Sequence, residues 1–350
     1  MGKTVTINGR QIGKRFPVYV IAELSANHNK NFDQAVELIK TAKKVGADAV
    51  KLQTYTPDTL TISSDDDLFC IKGQTPWDGQ TLYDLYKDAY MPWEWQPKLK
   101  VTANNLGMDL FSSAFDSSAV SFLENMGVPA HKIASPEIVD LPLIKKMALT
   151  GKPLIVSVGM ASLLEIKEAI QVARDAGARQ IILLKCTSSY PAPVTEMNLR
   201  TIPDLLGKFG VPVGLSDHTL GSIVPTIAVA LGACVIEKHL TLSRDIKGPD
   251  SAFSMEPEEF KCMVDSIRMT ESSLGKIYYG ASRSEMASLR FRRSLFVIKD
   301  MRKGDIFTED NIRSIRPVNG LPPKCLNELL GRKAKRDIKK GTPLEWELVD

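Results

Sequence analysis

His218 and His239, two of the chain's four histidines, each close an apolar, β-prone run, VPVGLS at 211–216 and ACVIEKH at 233–239. Neighbouring strands would bring them within coordination reach, and imidazole is a common ligand for divalent transition metals. Two imidazoles with open positions beside them can polarise a carbonyl and activate water. Glu237 stands two residues before His239 and shares its face of an extended strand. Other apolar runs end in polar residues too: Glu23; Lys51 and Gln53, which flank Leu52 and share a face; Ser112 and Ser113; Lys132 and Ser135; Ser157; Lys185 followed by Cys186, Thr187, Ser188, Ser189 and Tyr190; Ser216 and Asp217. Buried charges are costly unless they pair with one another or with a ligand. Lysines and hydroxyls with few carboxylates suit an anionic ligand, most simply a phosphate. His28, in Asn27-His28-Asn29, reads equally as a loop cap, and His131, next to Lys132 on one strand, should point away from it.

The elements that must position these groups alternate regularly. Strand-like runs at 17–24, 47–53, 108–111, 130–134, 153–158, 180–186, 211–216 and 233–239 are separated by segments of helical spacing at 33–45, 93–105, 117–126, 141–149, 162–176, 199–208, 221–231 and 257–274. Parallel strands buried on both faces read as continuous apolar runs. Eight βα units in about 250 residues predict a (β/α)8 TIM barrel, whose catalytic groups stand at the carboxyl ends of the strands. A doubly wound sheet would call for a glycine-rich turn after the first strand, and ELSANHNKN has no glycine. Asn8-Gly9 between two short β-prone pieces predicts an amino-terminal hairpin. The segment 54–92, with Asp65-Asp66-Asp67, is long for a βα loop, and such loops often carry function; the aromatic set Trp77, Tyr83, Tyr86, Tyr90, Trp93 and Trp95 reads as ordinary packing or as a sugar-stacking surface.

The 350 residues carry 45 Lys and Arg against 41 Asp and Glu. This mild excess is no nucleic-acid footprint. No apolar run approaches the roughly 18 residues of a membrane span, and five scattered cysteines without a C-x-x-C pair point to a reducing cytoplasm. Residues 1–275 read as the barrel with its hairpin and 276–290 as a polar linker. Residues 291–350, with 14 basic and 9 acidic side chains and turns such as Lys303-Gly304-Asp305 and Lys340-Gly341-Thr342, read as a small β-rich domain.

The motifs IAELSANHN, GADAVKLQTYTPDTLT, KIASPEI, SVGMAS, LLKCTSSYPAP, GLSDHTLG, IEKHLTL and GPDSAFS occur in this order and resemble those of the sialic acid synthase family. RFRRSLFVIKD, NIRSIRPVNGL and GRKAKRDIKKGTPL resemble its carboxyl-terminal antifreeze-like (SAF) domain. Ser25 and WDGQTLYDLYKDAYMPWEW are most similar to the pseudaminic acid branch. The resemblance implies condensation of phosphoenolpyruvate with an open-chain amino-sugar aldehyde, aided by a divalent cation, manganese or magnesium. In the pseudaminate branch the sugar is 2,4-diacetamido-2,4,6-trideoxy-L-altrose. Under that chemistry His218 and His239 would hold the metal, supported by Glu237, and Glu23 would be the general base. Lys51, Lys132, Ser135, Ser157, Thr187, Ser189 and Ser216 would cradle phosphate and carboxylate. Gln53, Tyr190 and Asp250 would read the sugar. Arg316, in the SIRP motif, resembles the family arginine that reaches a partner subunit's active site, implying a domain-swapped homodimer. Other readings are an N-acetylneuraminate or legionaminate synthase, a Schiff-base aldolase with Lys185 as nucleophile, and a carbohydrate-binding protein without catalysis.

Overall fold

The computed structural model describes residues 4–73, 75 and 77–350. The chain divides into two compact units, one ending at Gly275 and one spanning Lys276–Asp350.

The first unit opens with a hairpin, β1 (Val5–Ile7) and β2 (Arg10–Ile12), paired antiparallel. Asn8 and Gly9 turn it with positive φ of 46° and 80°, the left-handed pair that a two-residue hairpin needs. Eight parallel strands follow: β3 (Tyr19–Glu23), β4 (Ala49–Thr54), β5 (Asp109–Ala114), β6 (His131–Ile133), β7 (Leu154–Ser157), β8 (Ile181–Cys186), β9 (Val213–Asp217) and β10 (Val235–His239). They close in sequence order, β10 pairing with β3, so the predicted (β/α)8 barrel is the observed fold.

The strands are buried, save for half-buried Gln53 in β4 and Lys185 in β8, because helices cover their outer face and side chains fill the inner one. The helix Phe32–Lys44 shows the local logic. Asn31 caps it by accepting from the Gln34 amide, and Ala35, Leu38, Ile39 and Ala42 form the stripe that packs on the barrel. Each leucine or isoleucine so buried contributes about 1.5–3 kcal/mol, and the cap about 1 kcal/mol. The helix Leu163–Asp175 begins with a reciprocal capping box between Ser162 and Glu165.

The hairpin belongs to the amino ends of the strands. Asn8 Nδ2 donates to Asp109 Oδ1 at 2.8 Å, and the Tyr19 hydroxyl donates to Asp109 Oδ2 at 2.7 Å. Asp109 begins β5 and Tyr19 begins β3, so the plug leaves the carboxyl ends open for chemistry. Gly214, inside β9, has no room for a side chain: a Cβ there would lie 2.4 Å from the Val235 carbonyl oxygen and 2.7 Å from Leu184.

The segment 54–92 is partly regular where a loop was expected. It carries short helices at Pro57–Leu60 and Asp67–Phe69, an antiparallel bridge between Cys70 and Thr81, and a two-turn helix Leu82–Ala89. Asp65, Asp66 and Asp67 are exposed to solvent. Trp77 Nε1 donates to the Pro249 carbonyl at 2.9 Å and ties this excursion to the loop after β10.

The second unit is built on an antiparallel pair, β11 (Ser294–Val297) and β12 (Ile312–Ile315), extended by single bridges such as Phe296 with Pro343 and Met301 with Ile338. Its own core is Leu295, Val297, Phe307, Ile312, Leu329 and Leu344. Among the described residues no helix is long and apolar enough to cross a membrane.

Candidate active site

Side-chain alternation along the strands decides what faces the barrel interior. Glu23 on β3, Lys51 and Gln53 on β4, Ser113 on β5, Lys132 on β6, Ser157 on β7, Cys186 on β8, Ser216 on β9, and Glu237 and His239 on β10 share that inward parity. They converge at the carboxyl end, together with Ser135 and His218 just past β6 and β9. All but Glu23 line a cavity of about 380 Å³, and Glu23 joins them through Lys51.

Lys51 Nζ lies 3.1 Å from Glu23 Oε2 and 3.1 Å from Glu237 Oε1, with both side chains and its own nearly inaccessible. One cation thus bridges two carboxylates. Burial lifts the Glu23 carboxyl above the usual range against the pull of Lys51, and the Glu237 charge adds to the lift. Burial acts on Glu237 too, but Lys51, Lys132 and the Ser216 hydroxyl, donating at 2.9 Å, hold it below that range. Lys51 itself would be lowered by burial, yet its two carboxylates more than offset this and raise it. Lys132 donates to Ser157 Oγ at 2.7 Å and to the Ile133 carbonyl at 2.8 Å. Burial brings it down to about 8 in spite of the Glu237 charge. The floor is therefore two lysines among hydroxyls, with a carboxyl, Glu23, that keeps its proton to higher pH than a surface glutamate.

The two histidines face each other with ring centroids 5.3 Å apart. His218 Nδ1 donates to the Thr187 carbonyl at 3.0 Å, leaving Nε2 as its free nitrogen. Burial, with the charges of Lys51 and Lys238, keeps His239 well below the ordinary imidazole range, in the neutral form a metal requires. His239 Nδ1 and Glu237 Oε2 are buried without a hydrogen-bond partner. Among the described residues no three His, Cys, Asp or Glu side chains form a closed cation cage. The donor set fits a cation held by two imidazoles and completed by oxygens from substrate or water. Tyr190 packs tilted against the His218 ring at 4.4 Å, and Phe253 meets His239 edge-on at 5.2 Å.

Gln53 Nε2 donates to Glu23 Oε1 at 3.0 Å and to Ser25 Oγ at 3.1 Å. The Ser25 hydroxyl in turn donates to Asp250, whose carboxyl is lifted by burial although this bond and the Ala26 amide oppose the lift. Gln53, Tyr190 and Asp250 all line the cavity.

Several expectations need correction. Thr187 and Ser189 do not line the cavity. The Thr187 hydroxyl accepts from Lys185 at 3.1 Å, and the Ser189 hydroxyl donates to the Pro191 carbonyl at 3.3 Å. Lys185 also lies outside, donating to the Cys186 carbonyl, because the inward parity of β8 falls on Cys186. The Schiff-base reading thereby loses its nucleophile. Lys238 alternates outward on β10 and pairs with Asp217. Arg316 belongs to the second unit, immediately after β12. His131 faces the outer layer and meets Glu124 at 2.7 Å, while His28 Nδ1 accepts from the Lys30 amide as a loop cap does.

Two features escaped sequence reasoning. Glu137, within the quoted KIASPEI, has a buried Oε2 without a partner and is pushed up to about 7 by burial; the motif was its only signal. The other is the aliphatic part of an apolar wall, Ile71, Leu82, Leu85 and Ala89, which two members of the aromatic set join: Trp77, packed at 5.6 Å from Tyr190, and Tyr86. Tyr83 and Trp95 do not line the cavity.

A model of the NeuB family matches residues 38–279, and one of the SAF domain matches residues 292–350. The pseudaminic acid synthase of Campylobacter jejuni is 46% identical over 94% of this chain and 95% of its own length. That of Helicobacter pylori is 46% identical over 95% of this chain and 98% of its own. Among solved structures, the N-acetylneuraminic acid synthetase of Leptospira borgpetersenii, in complex with citrate, superposes with a TM-score of 0.74 at 30% identity, covering 83% of this chain and 97% of that one.

Proposed function

The chain belongs to the NeuB family, and from that premise we propose that it condenses phosphoenolpyruvate with open-chain 2,4-diacetamido-2,4,6-trideoxy-L-altrose to give pseudaminic acid and phosphate. One observation carries the reading: a closed barrel mouth joins a floor of two lysines and several hydroxyls to a pair of facing imidazoles. Its family relatives named as pseudaminic acid synthases support the choice of sugar.

Lys51, Lys132, Ser135, Ser157 and Ser216 bind the phosphate and carboxylate of phosphoenolpyruvate. Carbon 3 of the enol attacks the sugar aldehyde, and carbon 2 gains oxocarbenium character. Glu23 accepts the proton of the water that adds at carbon 2 and returns it to the alkoxide left from the aldehyde; the tetrahedral intermediate then collapses to the ketone, its carbon-2 hydroxyl proton departing with the expelled phosphate. The raised position of Glu23 suits a group that cycles one proton near neutral pH. Gln53 holds Glu23 in place and, with Tyr190 and Asp250, orients the sugar. His218 and His239 would hold a divalent cation, manganese or magnesium, which supplies polarisation of the aldehyde oxygen.

The working enzyme is a cytoplasmic homodimer in which the partner subunit's Arg316 completes the mouth; the family resemblance of the SIRP motif supports this. The test is phosphate release from phosphoenolpyruvate across a panel of amino sugars, with and without chelator. Release with the trideoxy sugar, abolished by chelator and with no borohydride-trapped adduct, is the expected result. Absence of release with every sugar, or a trapped lysine adduct, would overturn the assignment.

A further inference from the structure

The cavity has a second character that the condensation chemistry leaves unused. The helix Leu82–Ala89 presents Leu82, Leu85, Tyr86 and Ala89 to the cavity, at the i, i+3, i+4, i+7 spacing of one helical face. Such a stripe normally packs on a core. Here Leu85 is buried but stands apart from the continuous core of the barrel. Ile71 and Phe115 line the same wall, and Tyr55 braces it with ring centroids 5.7 Å from Tyr86 and 5.3 Å from Phe115. Phe115 follows β5 and His218 follows β9, strands on opposite sides of the eight-stranded ring, so the Phe115 end of this wall lies across the mouth from the imidazoles, while Trp77 carries the wall round to Tyr190.

We infer that this wall is the enzyme's selectivity element for a deoxygenated sugar terminus, seating the methyl carbon at position 6 and rejecting sugars that carry a hydroxyl there. The inference rests on the reading above, which puts the aldehyde at the histidines and so sends the far end of the chain across the mouth. The aliphatic side chains of Ile71, Leu82, Leu85 and Ala89 offer a 6-hydroxyl no hydrogen-bond partner, so it would be stripped of water without compensation. An apolar pocket discriminates against an added hydroxyl by about 10- to 100-fold, seldom more.

The test uses two substrates that differ only at carbon 6: the 2,4-diacetamido-2,4,6-trideoxy sugar and its 6-hydroxy counterpart. Phosphate release gives kcat/KM for each. The wild-type enzyme is expected to favour the 6-deoxy sugar by about 10- to 100-fold. Leu85→Asn, which places a hydrogen-bonding group in the wall, should shrink that ratio several-fold, as should Leu82→Asn at a half-buried position. A wild-type ratio near one overturns the inference without recourse to any variant. So does a ratio that stays at its wild-type value in a folded variant. Failure of the wild type to release phosphate with either sugar would instead strike the proposed reaction itself.

Discussion

Replacing Lys51 with methionine removes the single cation that bridges two buried carboxylates, each 3.1 Å from it. The methionine keeps much of the lysine's volume, so the loss is mainly electrostatic. Glu23 and Glu237 would then share a site with only Lys132 to offset them, and two close like charges cannot both stay ionised. The variant must either bear an uncompensated buried charge, at about 3–5 kcal/mol, or hold one carboxyl neutral. The second route costs about 1.36 kcal/mol per pH unit above the ordinary carboxyl value, which for glutamate is 4.5. Glu23 is already lifted to about 7 in the wild type, so a neutral Glu23 costs both proteins alike below that pH; above it the variant alone bears the growing cost, about 1.4 kcal/mol by pH 8. The sign follows from proton counts: the folded variant binds more protons than the unfolded chain in this window, so its stability falls as pH rises. Urea midpoints for wild type and variant, followed by circular dichroism at several pH values, measure the difference. A destabilisation that is flat with pH, or largest in acid, would refute the account of the bridge. Phosphate release should be lost at every pH, since the same ammonium serves the phosphorylated acid.

His218→Ala and His239→Ala should each abolish turnover while circular dichroism stays native, and calorimetric titration with Mn²⁺ should show lost binding; retained turnover in either would remove the two-imidazole centre. Lys132 is held near 8 by burial, so it is charged below that value and neutral above it; kcat/KM for phosphoenolpyruvate should decline as pH rises through about 8, and Lys132→Arg should shift that limb upward. His131→Ala should leave turnover intact and lower stability by about 0.5–3 kcal/mol, since it empties the space of a fully buried ring whose partner Glu124 keeps Lys152; a large loss of activity would contradict its outward placement. Trp77→Ala removes a ring packed against Tyr190, and should raise KM for the sugar with kcat for bound substrate less affected.

The barrel was readable because its signal is repetitive: eight apolar runs, each followed by a helical stripe, leave few topologies. Much of the cavity followed from the same two-residue period. Lys51 and Gln53, or Glu237 and His239, flank one residue and must share a face. The same period places the other strand-end lysines outside. Lys185 and Lys238 are next to inward-facing Cys186 and Glu237 and therefore point out. Thr187 and Ser189 lie beyond the last residue of β8, where the alternation no longer holds, and local turns capture their hydroxyls. The wall formed by Leu82 and Leu85 was hidden for another reason. A helical apolar stripe looks the same in sequence whether it meets a core or a ligand, and only tertiary placement separates the two.

Gly214 contributes no functional group, yet it governs tolerances at the mouth. Its lone hydrogen lets β9 lie flush against Val235 and Leu184, and two residues on Ser216 reaches Glu237 while His218 comes opposite His239. A methyl group there would wedge the staves of the cask apart and detune the spacing of two rings it never touches. The gap between the imidazoles is machined by the smallest residue in the wall.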